Sequence, residues 1–137
     1  MPARVITTLG YALLGLIQEA PRSGYRLRLV FETTPLGSYS SSPGSIYPAL
    51  RSLEKAGLVR RDASGGAPVF RLSPEGEAAL REWLERPVDA AELADHRDTV
   101  LLRFAFLQFH PDRRLSFAFL DSFAAASNAQ AQGLEAF

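Results

Sequence analysis

Over its first half this chain changes its apolar periodicity once, at Gly57. Before that glycine, Ile46, Ala49, Leu50 and Leu53 recur at the spacing of one helical face. A glycine directly after such a run stops the helix, because it enters the left-handed region without a Cβ clash. After it, Leu58-Val59-Arg60-Arg61 and Val69-Phe70-Arg71-Leu72 are short β-prone runs joined by Ala63-Ser64-Gly65-Gly66-Ala67-Pro68, which reads as a hairpin. A helix that runs directly into a hairpin restricts the fold more than any other stretch here.

The flanking segments are helical. Leu9, Leu13, Leu16 and Ile17 form one apolar face within Ile6 to Glu19, and Pro21 ends that helix. Ser23 caps a second helix through Leu27, Val30 and Phe31, which Pro35 and Gly37 close, and a polar stretch from Ser38 to Ser42 follows. Ser73-Pro74 supplies an N-cap and an N1 proline for a fourth helix carrying Leu80, Trp83 and Leu84, with Pro87 as its boundary. Only helical signals continue to Phe137. The expected fold class is mainly α with a small β-hairpin wing, a winged helix-turn-helix followed by a helical region.

Pro48 leaves two starts open for the third helix. With Ser45 as N-cap it lies at N3, where its missing N–H has no intrahelical partner in any case. With Ser42 as cap and Pro43 at N1, it must bend the helix. On either reading the amides of Gly44, Ser45 and Ile46 stand at a positive helix end suited to a phosphate. The face opposite Ile46 is small, basic and hydroxyl-bearing. It offers Arg51 to base edges and Ser45, Tyr47 and Lys55 to phosphates, although any surface helix also has a polar face.

The chain's 137 residues carry no net charge, yet Met1 to Leu72 holds nine basic residues against four acidic ones, a surplus of five that the remainder cancels. Polyanion binding is therefore open to the first half alone. The absence of cysteine removes thiolate chemistry. His96 and His110 are the only imidazoles, without metal-ligand spacing, and no nucleophile elbow or phosphate-binding glycine motif is present. The expectation is a non-enzymatic cytoplasmic protein with no cofactor and no membrane association, since no apolar run approaches the roughly 20 residues a span needs.

The C-terminal part holds Phe104, Phe106, Phe109, Phe117, Phe119 and Phe123. About fifty residues make a poor independent core, so a second copy of the chain is the expected cover. An aromatic effector pocket using Trp83 and Phe104 is the sharper alternative, with Arg97 and Arg103 as the nearest cations for a carboxylate.

Five separated blocks fall in a recognisable order: Leu13-Leu14-Gly15-Leu16, Ser23-Gly24-Tyr25, Ser42-Pro43-Gly44-Ser45-Ile46-Tyr47-Pro48-Ala49-Leu50, Leu53-Glu54-Lys55-Ala56-Gly57-Leu58-Val59 and Phe70-Arg71-Leu72-Ser73-Pro74-Glu75-Gly76. In this the chain resembles the PadR family of bacterial transcriptional regulators over about Leu9 to Leu84. The resemblance implies a homodimeric winged-helix repressor of double-stranded operator DNA, controlled by a phenolic or other aromatic small molecule or a drug. By position, Tyr25, the segment Ser42 to Arg51, and Arg71 at the base of the wing resemble DNA-facing positions. Gly65 and Gly66 stand near the wing tip where many relatives carry Arg or Lys, and offer DNA backbone amides only. Residues 1–86 are expected to form the DNA-binding domain and 87–137 a helical dimerisation region, matching only the start of the several-helix domain of longer members. A winged-helix protein-interaction module is the competing reading, distinguished by weak salt dependence.

Overall fold

The structure is a computed structural model that describes residues 6–33, 45–108 and 110–135. The expected closure of the second helix by Pro35 and Gly37, the stretch from Ser38 to Ser42, the candidate residues Ser42 and Gly44, and Phe109 lie outside them. In order come α1 (Thr8–Glu19), α2 (Gly24–Thr33), α3 (Ile46–Lys55), β1 (Val59–Asp62), β2 (Val69–Leu72), α4 (Pro74–Glu85), α5 (Ala90–Asp95), α6 (Arg97–Leu107) and α7 (Arg113–Glu135). This is a winged helix-turn-helix followed by helices. Among the described residues no helix is long and apolar enough to cross a membrane. The chain forms two compact units, Met1–Leu80 and Arg81–Phe137.

The first unit is built on local signals. Thr7 caps α1, its hydroxyl accepting from the Gly10 N–H at 3.1 Å, and Ser23 does the same for α2 through the Arg26 N–H at 3.1 Å. Ser45 stands at the N-cap position of α3, which puts Pro48 at N3, where it removes no helical hydrogen bond. Gly57, at φ +78°, closes α3 in a Schellman turn. The Leu58 N–H donates to the Leu53 carbonyl at 2.9 Å and the Gly57 N–H to the Glu54 carbonyl at 3.0 Å. The core between α1, α2 and α3 is Leu13, Leu14, Leu27, Ile46 and Leu50, all fully buried or nearly so. Each such side chain contributes about 1.5–3 kcal/mol relative to exposure.

Strands β1 and β2 pair antiparallel, with Val59 opposite Leu72, Arg60 opposite Arg71, Arg61 opposite Phe70 and Asp62 opposite Val69. The Phe70 N–H also donates to the Arg22 carbonyl at 2.8 Å, so the residue after Pro21 adds one rung to the ladder. Arg22 in turn donates to the Leu16 carbonyl and pairs with Glu19 at 3.4 Å.

Ser73 and Gly76 lock the hairpin to the start of α4. The buried Ser73 hydroxyl donates to the Gly57 carbonyl at 2.5 Å and accepts from the Gly76 N–H at 3.0 Å. Gly76 lies so close to Leu58 that a Cβ there would sit 2.0 Å from the Leu58 carbonyl oxygen. Backbone cannot yield as a side chain can. Gly76→Ala is therefore expected to cost about 1–3 kcal/mol of unfolding free energy, checked by denaturant titration. Gly57→Ala is a useful contrast, because nothing lies within 4 Å of its absent Cβ and only its positive φ penalises the change.

The second unit packs α5, α6 and α7 together with the last turn of α4 around Trp83, Leu93, Val100, Leu102, Phe106 and Leu107. Arg103 is its one buried charged side chain among the described residues, 1% exposed. Its Nη1 donates to the Arg86 carbonyl at 2.6 Å and the Trp83 carbonyl at 3.4 Å, and its Nη2 pairs with Glu92 at 2.7 Å. Its guanidinium also lies 5.5 Å from the Phe119 ring centroid. Desolvation pulls its pKa below that of a free arginine, while the Glu92 carboxylate opposes that pull.

Candidate nucleic-acid interface

Helix α3 buries Ile46, Leu50 and Leu53 and exposes Tyr47, Pro48, Arg51, Ser52 and Lys55, the division expected from a 3.6-residue period. Ser45 is half-buried at its start. Helix α2 packs against it so closely that a Cβ on Gly24 would sit 2.9 Å from the Tyr47 ring. A glycine before Tyr25 is thus required by the neighbouring ring, which leaves Tyr47 40% and Tyr25 62% exposed. Both phenols sit on first helical turns of the helix-turn-helix pair.

The basic residues of this unit divide by what they touch. Arg28 pairs with Glu32 at 2.8 Å, which raises the pKa of Arg28, with Tyr47 adding in the same direction. Arg61 pairs with Glu54 at 2.9 Å and lies 5.5 Å from the Phe70 ring centroid, clamping the end of α3 to the hairpin. Arg71 pairs with Asp62 at 2.6 Å. Hydrogen bonds from Ser64 first, and Arg71 next, hold the Asp62 carboxyl well below the usual carboxylate range. By contrast, the side chains of Arg26, Arg51, Lys55 and Arg60 are exposed and have no ion-pair partner among the described residues. A cation already neutralised within the protein has less to offer a phosphate than one that is not.

The wing tip is as the sequence suggested in its lack of charge. Gly65 and Gly66 are exposed, and Gly66 takes φ +111° while donating its N–H to the Ala63 carbonyl at 3.1 Å. Arg71 is exposed but paired, whereas Arg26 and Arg60 are exposed cations that sequence reasoning did not single out. The signal for Arg60 is the hairpin register, which sets it directly opposite Arg71 on the outward face. The aromatic candidates separate. Trp83 is 3% exposed and its ring meets Phe106 at 6.4 Å, while Phe104 stacks on Phe119 at 5.8 Å. Phe104 and Phe106 are two positions apart on α6, which turns them to nearly opposite faces.

No cluster of three or more potential metal-ligating side chains occurs among the described residues. What the first unit can do chemically is present an outward helix bearing hydroxyl and cationic groups beside a hairpin, over a packed apolar base.

Residues 13–82, just over half of the chain, match the transcriptional regulator PadR-like family. The transcriptional regulator YqjI of Escherichia coli is 29% identical over 118 residues, covering 85% of this chain and 54% of that protein. The negative transcriptional regulator PadR of Bacillus subtilis is 28% identical over 104 residues, covering 72% of this chain and 56% of that protein. The chain spans about half the length of these curated relatives. Among solved structures, a PadR-like transcriptional regulator from Bacillus cereus superposes with a TM-score of 0.54 at 18% identity, over 96% of this chain and 95% of that one. Bacillus subtilis PadR in complex with p-coumaric acid gives 0.53 at 18% identity, over 96% of this chain and 94% of that one. At such identities the likeness is one of fold.

Proposed function

Because this chain belongs to the PadR-like family of transcriptional regulators, we propose that it is a cytoplasmic homodimeric repressor that binds double-stranded operator DNA and is released by an aromatic small molecule. The observation that carries the DNA reading is the outer face of α3, where Arg51 and Lys55 stand exposed beside Tyr47 with no carboxylate paired to them among the described residues. Residues 1–86 are the DNA-binding part in this reading, contacting DNA through Tyr25, the Ser42 to Arg51 segment, Lys55, Gly65, Gly66 and Arg71. Residues 87–137 form the dimerisation region. A symmetric dimer would set its two α3 helices about 34 Å apart, one turn of B-DNA.

The release step draws support from a cavity of about 160 Å³ lined by Val100, Leu101, Phe104, Phe119, Leu120 and Phe123. A space of this size suits one ring, and its wholly apolar lining favours a neutral aromatic compound over an acid. Trp83 lies in the neighbouring core as a fluorescent reporter. A compound releases DNA only by binding the non-DNA geometry more tightly, a tenfold preference being about 1.4 kcal/mol.

The test is selection of bound duplexes from a random library, followed by titration of the selected duplex and a scrambled one at several salt concentrations. Steep weakening with salt supports DNA binding, and a flat response favours a protein-interaction module. Arg51→Ala is expected to cost about 1–3 kcal/mol on the selected duplex and to reduce its preference over the scrambled one, because an arginine on the groove-facing side suits guanine. Unchanged affinity in this variant places base recognition elsewhere.

A further inference from the structure

The hairpin's outward face carries Arg60 and Arg71 directly opposite one another, with Asp62 on the same face one pleat from Arg60. Like charges facing across a ladder repel. Asp62 relieves this by taking Arg71 at 2.6 Å through its Oδ2. Its other oxygen accepts from the Ser64 N–H at 2.9 Å and from the Ser64 hydroxyl at 2.6 Å. The turn therefore fixes the carboxylate whether or not Arg71 stays. Arg71, with a side chain 56% exposed, is the partner free to leave.

On the DNA-binding reading above, we propose that Asp62 limits the attraction of the wing for DNA phosphates. It cancels the charge of Arg71 and leaves Arg60 as the net cation of the hairpin's outward face. The turn itself needs an acceptor at position 62, and asparagine would supply one to both Ser64 donors. The negative charge is additional to that need, and it acts on whatever approaches the outward face. An exposed ion pair contributes little stability, so a phosphate can draw Arg71 away. The fixed carboxylate then remains beside that phosphate and offsets the contact. A wing weakened in this way lowers affinity for every sequence alike, which shifts discrimination onto α3.

The probe is a random-sequence DNA duplex titrated with the full chain at KCl concentrations from about 50 to 200 mM, where log affinity falls with log salt by about 0.9 per phosphate neutralised. Asp62→Asn is expected to bind this duplex about five- to tenfold more tightly near 0.1 M salt, with a slope steeper by about 0.9 for each wing engaged. In the Asp62→Asn background Arg71→Gln should abolish the gain, while Arg60→Gln should weaken binding about five- to tenfold in either background. Asp62→Ser, whose hydroxyl also accepts from the turn, serves as the second neutral variant, and thermal melts check that each variant is folded.

The inference is overturned if both neutral variants fold and bind no more tightly than a salt-sensitive wild type, or if the gain of Asp62→Asn survives the addition of Arg71→Gln. A wild-type chain whose duplex binding is absent or independent of salt overturns the DNA reading itself, and this inference with it.

Discussion

Arg103→Ala is expected to remove about 3–5 kcal/mol from the stability of the helical unit that begins at Arg81. The guanidinium donates to the carbonyls of Trp83 and Arg86 and to Glu92, so one side chain on α6 ties the end of α4 to α5. Truncation takes this donor from both carbonyls and from the Glu92 carboxylate, with the Trp83 carbonyl still accepting from the Arg86 N–H at 3.4 Å, and opens a large void beneath Phe119. A cation at the C-terminal end of α4 also complements that helix's dipole. The Arg103 Nε has no hydrogen-bond partner among the described residues, so the arrangement is not ideal. For that reason Arg103→Met, which fills the space without a charge, should recover part of the loss. Denaturant unfolding followed by Trp83 fluorescence measures both variants, since Trp83 is buried in this unit and is the only tryptophan of the chain. A loss below about 1 kcal/mol for Arg103→Ala would mean the network is weakly coupled to the fold.

The second large effect concerns assembly. Leu101 on α6 and Leu120 on α7 are 51% and 46% exposed, and Phe117 on α7 is 68% exposed. Leu101 and Leu120, together with Phe104 and Phe123, line one apolar face of the kind that marks interaction sites. Leu120→Asp should leave the subunit folded, because the side chain is already half in water, while making a self-complementary contact unfavourable on both sides of a two-fold axis. On the dimeric reading proposed above, the expected result is a shift from dimer to monomer in sedimentation. A drop of about 100-fold or more in affinity for a symmetric duplex should accompany it, since two linked half-sites reinforce each other through effective concentration. Leu101→Asp should behave alike. A wild type that sediments as a monomer overturns the dimeric reading, and a dimeric wild type whose two variants stay dimeric places the contact on another surface.

The parts of this protein legible from sequence are those fixed by neighbours a few residues away. Ser23 and Ser73 were recognisable as caps and Gly57 as a stop because each acts on amides or carbonyls within about one helical turn. The hairpin was equally plain, and the buried and exposed faces of α3 followed from periodicity alone. Helix α3 is described from Ile46 with Ser45 at its N-cap position, which puts Pro48 at N3, while the other start at Ser42 and Pro43 lies outside the described residues.

What only the tertiary structure decided is which charges are spent and which rings are buried. Arg71 stands out in the sequence through the family resemblance and Arg60 does not, yet Asp62 pairs with Arg71 and leaves Arg60 without an ion-pair partner among the described residues. Arg103 looked like a cation available to an acidic ligand, yet its partners lie 11 to 20 residues away and enclose it. Phe117 and Phe119 are two positions apart on α7, one 68% exposed and the other 4%, because that helix turns about 200° between them and one side meets Phe104. Helix ends and turns answer to local hydrogen bonding, which the order of residues determines by itself. Pairing and burial depend on which distant segments meet, and packing alone decides that.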